Sequence, residues 1–170
     1  RMRGNTLTKK ELVEIGDRPV IWHVMRIFSA HGHNRFILTL GFQAEQLRRY
    51  FLEYEAMQRD FTVHLGAPDN HGNHPQIEFY GQVEHPAWQV TLADTGLHTD
   101  KGSRIGRVAQ HLEGYDRFFV SYGDDVSDVD LTALEEFHRS HGKLATVTSV
   151  PVSYTHLRAH ETVLDLVCRL

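Results

Sequence analysis

The chain has 170 residues, 41% of them hydrophobic and 24% charged, with a formal net charge of -4 at pH 7. That balance fits an ordinary soluble domain with a single core. The negative charge and a pI near 6.4 exclude broad electrostatic attraction to nucleic acid or anionic membrane and leave small molecules as the expected partners.

In chain order, residues 18–32, RPVIWHVMRIFSAHG, carry apolar residues at helical spacing, with Pro19 in the tolerated first turn and Gly32 as the stop. RFILTLG (35–41) reads as a buried strand. AEQLRRYFLEYEAM (44–57) is a charged amphipathic helix, and FTVHLG (61–66) a short strand. Residues 67–86 are turn-rich and predict a loop or a short hairpin. WQVTLADTG (88–96) is a strand, SRIGRVAQHLEG (103–114) a helix ending at Gly114, and RFFVSYG (117–123) another strand. LTALEEFHRSHG (131–142) is a helix with Thr132 and Glu135 at capping-box spacing, and KLATVTSV (143–150) is the last strand. Strand and helix alternate, so the expected class is α/β with a largely parallel sheet. Ligands in such sheets sit beyond the carboxyl ends of the strands.

Beyond the strand end in FFVSYGDDVSDVDL (118–131) four carboxylates gather: Asp124, Asp125, Asp128 and Asp130. The last two precede a helix, whose positive end favours acidic residues. Asp124 and Asp125 follow the strand directly, where carboxylates hold Mg²⁺ against substrate phosphates, although solvated turn chemistry is the competing reading. An EF-hand is excluded, because the central glycine and ligand alternation are missing. The histidines of HGH (31–33) and HGNH (71–74) lack the partners of a zinc site and read as surface loops. Arg1, Arg3, Lys9 and Lys10 make a basic amino-terminal stretch, either a solvated loop or a source of positive charge for phosphate oxygens.

The lone Cys168 rules out an internal disulfide framework and suits a reducing compartment. No apolar run approaches a membrane span and no signal peptide opens the chain, so the cytoplasm is the expected location. Oligomeric state leaves no mark in the sequence, and a homo-oligomer is compatible with it.

Six stretches taken together resemble the sugar-1-phosphate nucleotidyltransferases, and within them the glucose-1-phosphate cytidylyltransferase branch. They are ELVEIGDRPVIWHVMRIFSAHG, GFQAEQLRRYF, WQVTLADTG, GSRIGRV, SYGDDVSDVDL and FHRSHGKLATVTSV, in family order over roughly residues 1–150. The resemblance implies a Rossmann-like three-layer fold with a mostly parallel, mixed central sheet, and transfer of a nucleotidyl group from a nucleoside triphosphate, CTP in this branch, to a sugar 1-phosphate such as glucose 1-phosphate. It also implies roles. Arg1 matches the phosphate-binding arginine that closes the family's glycine-rich G-G-x-G-T-R-[LM] loop. Lys10 matches the lysine that neutralises the phosphates, keeping its distance to VEIG better than Lys9 does. Asp124 matches the aspartate that coordinates Mg²⁺, and Gly102 and Arg104 match the segment enclosing the nucleotide. Asp125, Ser103 and Gln43 depart from the commoner residues at their positions, which bears on base and sugar preference.

The resemblance further implies a partial nucleotidyltransferase domain over 1–151, without the first strand, most of the glycine-rich loop or the carboxyl-terminal part that supplies a second metal-binding aspartate. A piece of that kind is expected to be inactive and poorly stable. Residues 152–170 are similar to a tail that recurs on conceptual translations of metagenomic assemblies, where sequencing adapter is read as coding; the alternative is an amphipathic terminal helix. Two other functions stay open. DVD (128–130) is the D-x-D of metal-dependent glycosyltransferases, and a nucleotide-binding module without turnover would keep the same fold.

Overall fold

The computed structural model describes residues 8–68, 75–82, 86–149 and 165–169. After a single 3-10 turn at Lys10–Leu12, the elements are β1 (Glu14–Ile15), β2 (Arg18–Pro19), α1 (Val20–Ala30), β3 (Arg35–Leu40), α2 (Ala44–Leu52), β4 (Phe61–Pro68) and β5 (Pro75–Phe79). Then come β6 (Gln89–Asp94), α3 (Lys101–Arg107), a second 3-10 turn at Ala109–His111, β7 (Arg117–Val120), α4 (Leu131–His141), β8 (Ala145–Thr148) and β9 (Asp165–Arg169). The class is mixed α/β.

Pairing is less parallel than the alternation of elements predicts. β3 and β6 form a parallel pair, with Arg35 opposite Gln89 and Leu40 opposite Asp94. The β1–β2, β4–β5, β7–β9 and β8–β9 ladders are antiparallel. For β1–β2 and β4–β5 the reason is the length of the connections, which are too short for a crossover, so that only antiparallel hairpins close them. Within 67–86, the described β5 pairs antiparallel with β4, in favour of the hairpin. β9 also differs from the sequence reading, which placed its last strand at 143–150 and a tail or helix beyond. It lies between β7 and β8 in a three-stranded sheet.

The core forms where α1 and α2 cover the β3–β6 pair. Ile21, Met25, Leu40, Ala44 and Leu47 are buried, and Phe36, Trp88, Val90 and Leu92 pack against them. In α1 the buried residues are Val20, Ile21, Val24 and Met25, a stripe at helical period, entered through Pro19 as the N-cap. α2 is shorter than its sequence pattern and ends at Leu52, which is 82% exposed. α3 likewise stops at Arg107 and gives way to the second 3-10 turn rather than running to Gly114. α4 matches its expected span, but its cap differs. Asp130 Oδ1 accepts from the Ala133 N–H at 3.0 Å. Thr132, expected to cap, instead meets His31 Nδ1 through its hydroxyl at 2.9 Å. Among the described residues, no helix is long and apolar enough to cross a membrane.

Candidate active site

The parallel β3–β6 pair sets two carboxyl ends side by side, and the segment 9–12 lies against that edge. The Lys9 N–H donates to Gln46 Oε1 at 2.8 Å, and Lys9 Nζ donates to the Phe42 carbonyl at 3.2 Å while facing Glu11 at 3.6 Å. Lys9 is thereby committed to holding the segment. Its neighbour points elsewhere: Lys10 Nζ lies 3.9 Å from Asp124 Oδ2, with the lysine side chain 79% and the aspartate 40% exposed. Gly123 permits this approach, because a Cβ there would stand 3.0 Å from Glu11 Cγ and 3.2 Å from Ile21 Cδ1.

β7 ends at Val120, three residues before the glycine at which the sequence pattern ends it. Residues 121–130 are thus a loop carrying all four carboxylates. Asp124 faces Lys10; Asp130 caps α4 and also lies 3.9 Å from His31 Nδ1. His33 packs its ring on Phe119, with centroids 4.8 Å apart.

A second cation reaches this loop from α3, and sequence reasoning missed it. Lys101 Nζ donates to the Tyr122 hydroxyl at 3.0 Å and sits 4.6 Å from the centroid of the same ring. The hydrogen bond to Tyr122 raises the Lys101 pKa above its ordinary value, and the charge of Asp124 adds to the effect. The only sequence signal was a lysine beside the Gly102–Arg104 motif, which says nothing about a ring twenty-one residues on.

Arg104 has an internal set of partners. Its Nη1 donates to the Leu40 carbonyl at 3.0 Å and to Thr95 Oγ1 at 2.6 Å, and Nη2 approaches the Leu97 carbonyl at 3.4 Å. Thr95 is itself 1% exposed and donates its hydroxyl to the Leu40 carbonyl. Arg107 adds a bond from Nη1 to the Thr95 carbonyl at 2.7 Å. These two arginines of α3 brace the ends of β3 and β6. At the same edge, the Gly96 N–H and then Arg48 hold the Asp94 carboxyl below its ordinary range. Gly102 lies in the first turn of α3 with open space around its Cα. Arg1 lies outside the described residues, as do the histidines of 71–74.

The expected residues therefore fall into three groups: Lys10 and Asp124 meet, Gly102 and Arg104 lie on α3 at the same edge, and Arg1 is not described. Among the described residues, no three histidine, cysteine, aspartate or glutamate side chains gather as a metal cage. An exposed carboxylate such as Asp124 suits a different ligation, in which Mg²⁺ takes one protein oxygen and fills its octahedron with water and substrate phosphate. The donor set fits that ion.

Comparison with known proteins gives the context of this geometry. The glucose-1-phosphate cytidylyltransferase of Salmonella typhimurium (strain LT2) is 36% identical over 150 residues, which cover 88% of this chain and 55% of that protein. By sequence, the chain is a relative of the sugar-1-phosphate nucleotidyltransferases. A probable glucose-1-phosphate cytidylyltransferase of Bacillus subtilis (strain 168) is 33% identical over 141 residues, 83% of this chain and 52% of its own length. A more distant match is the mannose-1-phosphate guanyltransferase of Kluyveromyces lactis, 27% identical over 155 residues, 89% of this chain and 35% of that protein. The chain spans about half the length of the cytidylyltransferases it matches. No protein-family model matches it.

Proposed function

We propose that the whole protein to which these residues belong is a sugar-1-phosphate nucleotidyltransferase, transferring CMP from CTP to glucose 1-phosphate and releasing pyrophosphate. The observation that carries the reading is the meeting of Lys10 and Asp124 beside the carboxyl-terminal edge of the sheet, in a chain whose relatives bear that activity in their names. A Rossmann-like three-layer arrangement, with the domain over 1–151, is part of the same proposal.

The reaction is an in-line displacement. A phosphate oxygen of the sugar 1-phosphate forms a bond to the α-phosphorus of the triphosphate, the bond from that phosphorus to the bridging oxygen breaks, and pyrophosphate leaves. No covalent enzyme intermediate is needed, so the residues act by positioning and by charge. Lys10 exchanges its long, solvated ion pair with Asp124 for a phosphate oxygen and neutralises charge on the departing side. Asp124, released from Lys10, offers its carboxylate to Mg²⁺, which when bound supplies charge neutralisation to the phosphates. Gly102, bare of a side chain at the start of α3, lets a ligand approach the backbone. Arg104 keeps the β3 and β6 ends in register beneath the ligand, and Arg1 contributes a further phosphate contact.

The glycosyltransferase alternative requires the D-x-D of residues 128–130 to be free for a metal. Asp130 is engaged instead as the N-cap of α4, which favours the nucleotidyltransferase reading. The test is pyrophosphate release by the protein extended to the full length of its relatives, with Mg²⁺ and glucose 1-phosphate, comparing CTP, UTP, dTTP and ATP. Release with CTP ahead of the others is expected. Absence of release with every triphosphate would overturn the reading.

A further inference from the structure

Three of the described lysines are used in different ways. Lys9 is tied to a carbonyl and to Glu11, and Lys10 faces Asp124. Lys101 is held by a neutral partner, the hydroxyl and ring face of Tyr122, so its placement consumes none of its charge. A cation over an aromatic face is oriented without being neutralised, whereas a carboxylate partner would cancel the field it offers to a ligand. Tyr122 thus works as a perch. It keeps the ammonium beside the 121–130 loop, on a residue two positions before Asp124.

Building on the reading above, we propose that Lys101, perched on Tyr122, is a second phosphate-binding cation of the site, acting with Lys10 to grip the polyphosphate tail of the nucleotide. The spread of the cations selects the ligand class. Two ammonium groups carried by separate segments suit a ligand that offers phosphate oxygens along a chain, as a polyphosphate does and a single phosphate does less well. Lys101 stands on α3, so a polyphosphate held between it and Lys10 would also draw α3 and the segment 9–12 together across the sheet edge. Lys101 needs no rearrangement of the fold to reach a phosphate oxygen: its side chain is exposed and only the bond to Tyr122 is exchanged.

The test is binding, measured by calorimetric titration of the 170-residue chain with inorganic tripolyphosphate plus Mg²⁺ and, separately, with glucose 1-phosphate. For Lys101→Met, which keeps the apolar stem on the ring and removes the charge, tripolyphosphate affinity should fall roughly tenfold, the equivalent of about 1.4 kcal/mol. Lys101→Arg should restore most of it. Tyr122→Phe, which keeps the ring and loses the hydroxyl, should weaken binding by about twofold to threefold. Glucose 1-phosphate affinity should move far less in all three. Thermal unfolding of each variant, unchanged from wild type, separates loss of charge from loss of fold. Wild-type affinity in Lys101→Met, no rescue by arginine, no measurable binding of tripolyphosphate to the wild-type chain, or an equal loss toward glucose 1-phosphate would each overturn the proposal. The outcome is independent of turnover: a protein that releases no pyrophosphate yet loses tripolyphosphate binding in Lys101→Met keeps the cation site and loses the transferase reading.

Discussion

Gly41→Ala tests the brace beneath the site. A Cβ at residue 41 would stand 2.7 Å from both Nη atoms of Arg104 and 3.0 Å from its Cζ, well inside contact distance. Gly41 is absent from the left-handed backbone positions, so alanine brings no backbone strain of its own. The guanidinium is the movable end of a long side chain and will swing aside, losing its bonds to Leu40 and Thr95. Bonds to a charged group contribute roughly 1.5 to 3 kcal/mol each when well buried. Arg104 is only half-buried, so water replaces part of that, and the Leu40 carbonyl keeps both Thr95 donors. Alanine also returns about 0.4 to 1 kcal/mol by restricting the unfolded chain. The net expectation is a loss of about 1 kcal/mol, or roughly 2 to 4 °C in Tm for a chain of this size. Urea unfolding followed by circular dichroism, repeated in an Arg104→Ala background, closes a double-mutant cycle. There the glycine substitution should become neutral or slightly stabilising. An equal loss in both backgrounds would refute the idea that Gly41 exists to seat Arg104.

Other consequences concern stability elsewhere. Asp130→Ala should cost about 1 kcal/mol in urea unfolding through loss of the α4 cap, whereas Asp128→Ala should stay within about 0.5 kcal/mol. The Tyr50 hydroxyl is buried without a hydrogen-bond partner among the described residues, and burial followed by the neighbouring Tyr54 pushes its pKa up to about 12. Tyr50→Phe should therefore stabilise the protein by up to about 1 kcal/mol at neutral pH. The wild type should lose stability as pH rises from 10 toward 12, where the unfolded tyrosine ionises while the folded one keeps its proton, and the variant should lose less over that window. Glu135 is held below its ordinary pKa, first by the hydrogen bond from Arg139 and then by the charges of Arg139, His33 and Arg117. Its contribution is present above the unfolded value near 4.5 and disappears as pH falls through the lower folded value, so a Glu135→Gln stability profile should be flatter below pH 4.5.

Much of the fold was legible because local rules set it. Pro19 and Gly32 bound α1, apolar strand-length runs mark β3 and β6, and Asp130 stands where an acidic residue should begin α4. The parallel sheet was over-read, since alternation of elements says nothing about the short links that force hairpins. Thr132 and Glu135 satisfied a capping pattern, yet Asp130, two residues earlier and just ahead of Leu131, took the role. At the site, Lys10 and Asp124 could be named from sequence. The contacts of Arg104 could not, because Leu40 and Thr95 are brought to it by the β3–β6 register. Lys101 was invisible for the same reason: a cation over a ring is a tertiary contact between α3 and the loop after β7.

The central claim is that Asp124, and not the D-x-D that follows it, is the functional carboxylate. Pyrophosphate release from CTP and glucose 1-phosphate with Mg²⁺, measured for Asp124→Asn and Asp130→Asn in the full-length protein, tests it most directly. The account predicts a loss of at least about a hundredfold for Asp124→Asn and near-normal release for Asp130→Asn once its stability is allowed for. Activity retained in Asp124→Asn and abolished in Asp130→Asn would contradict it.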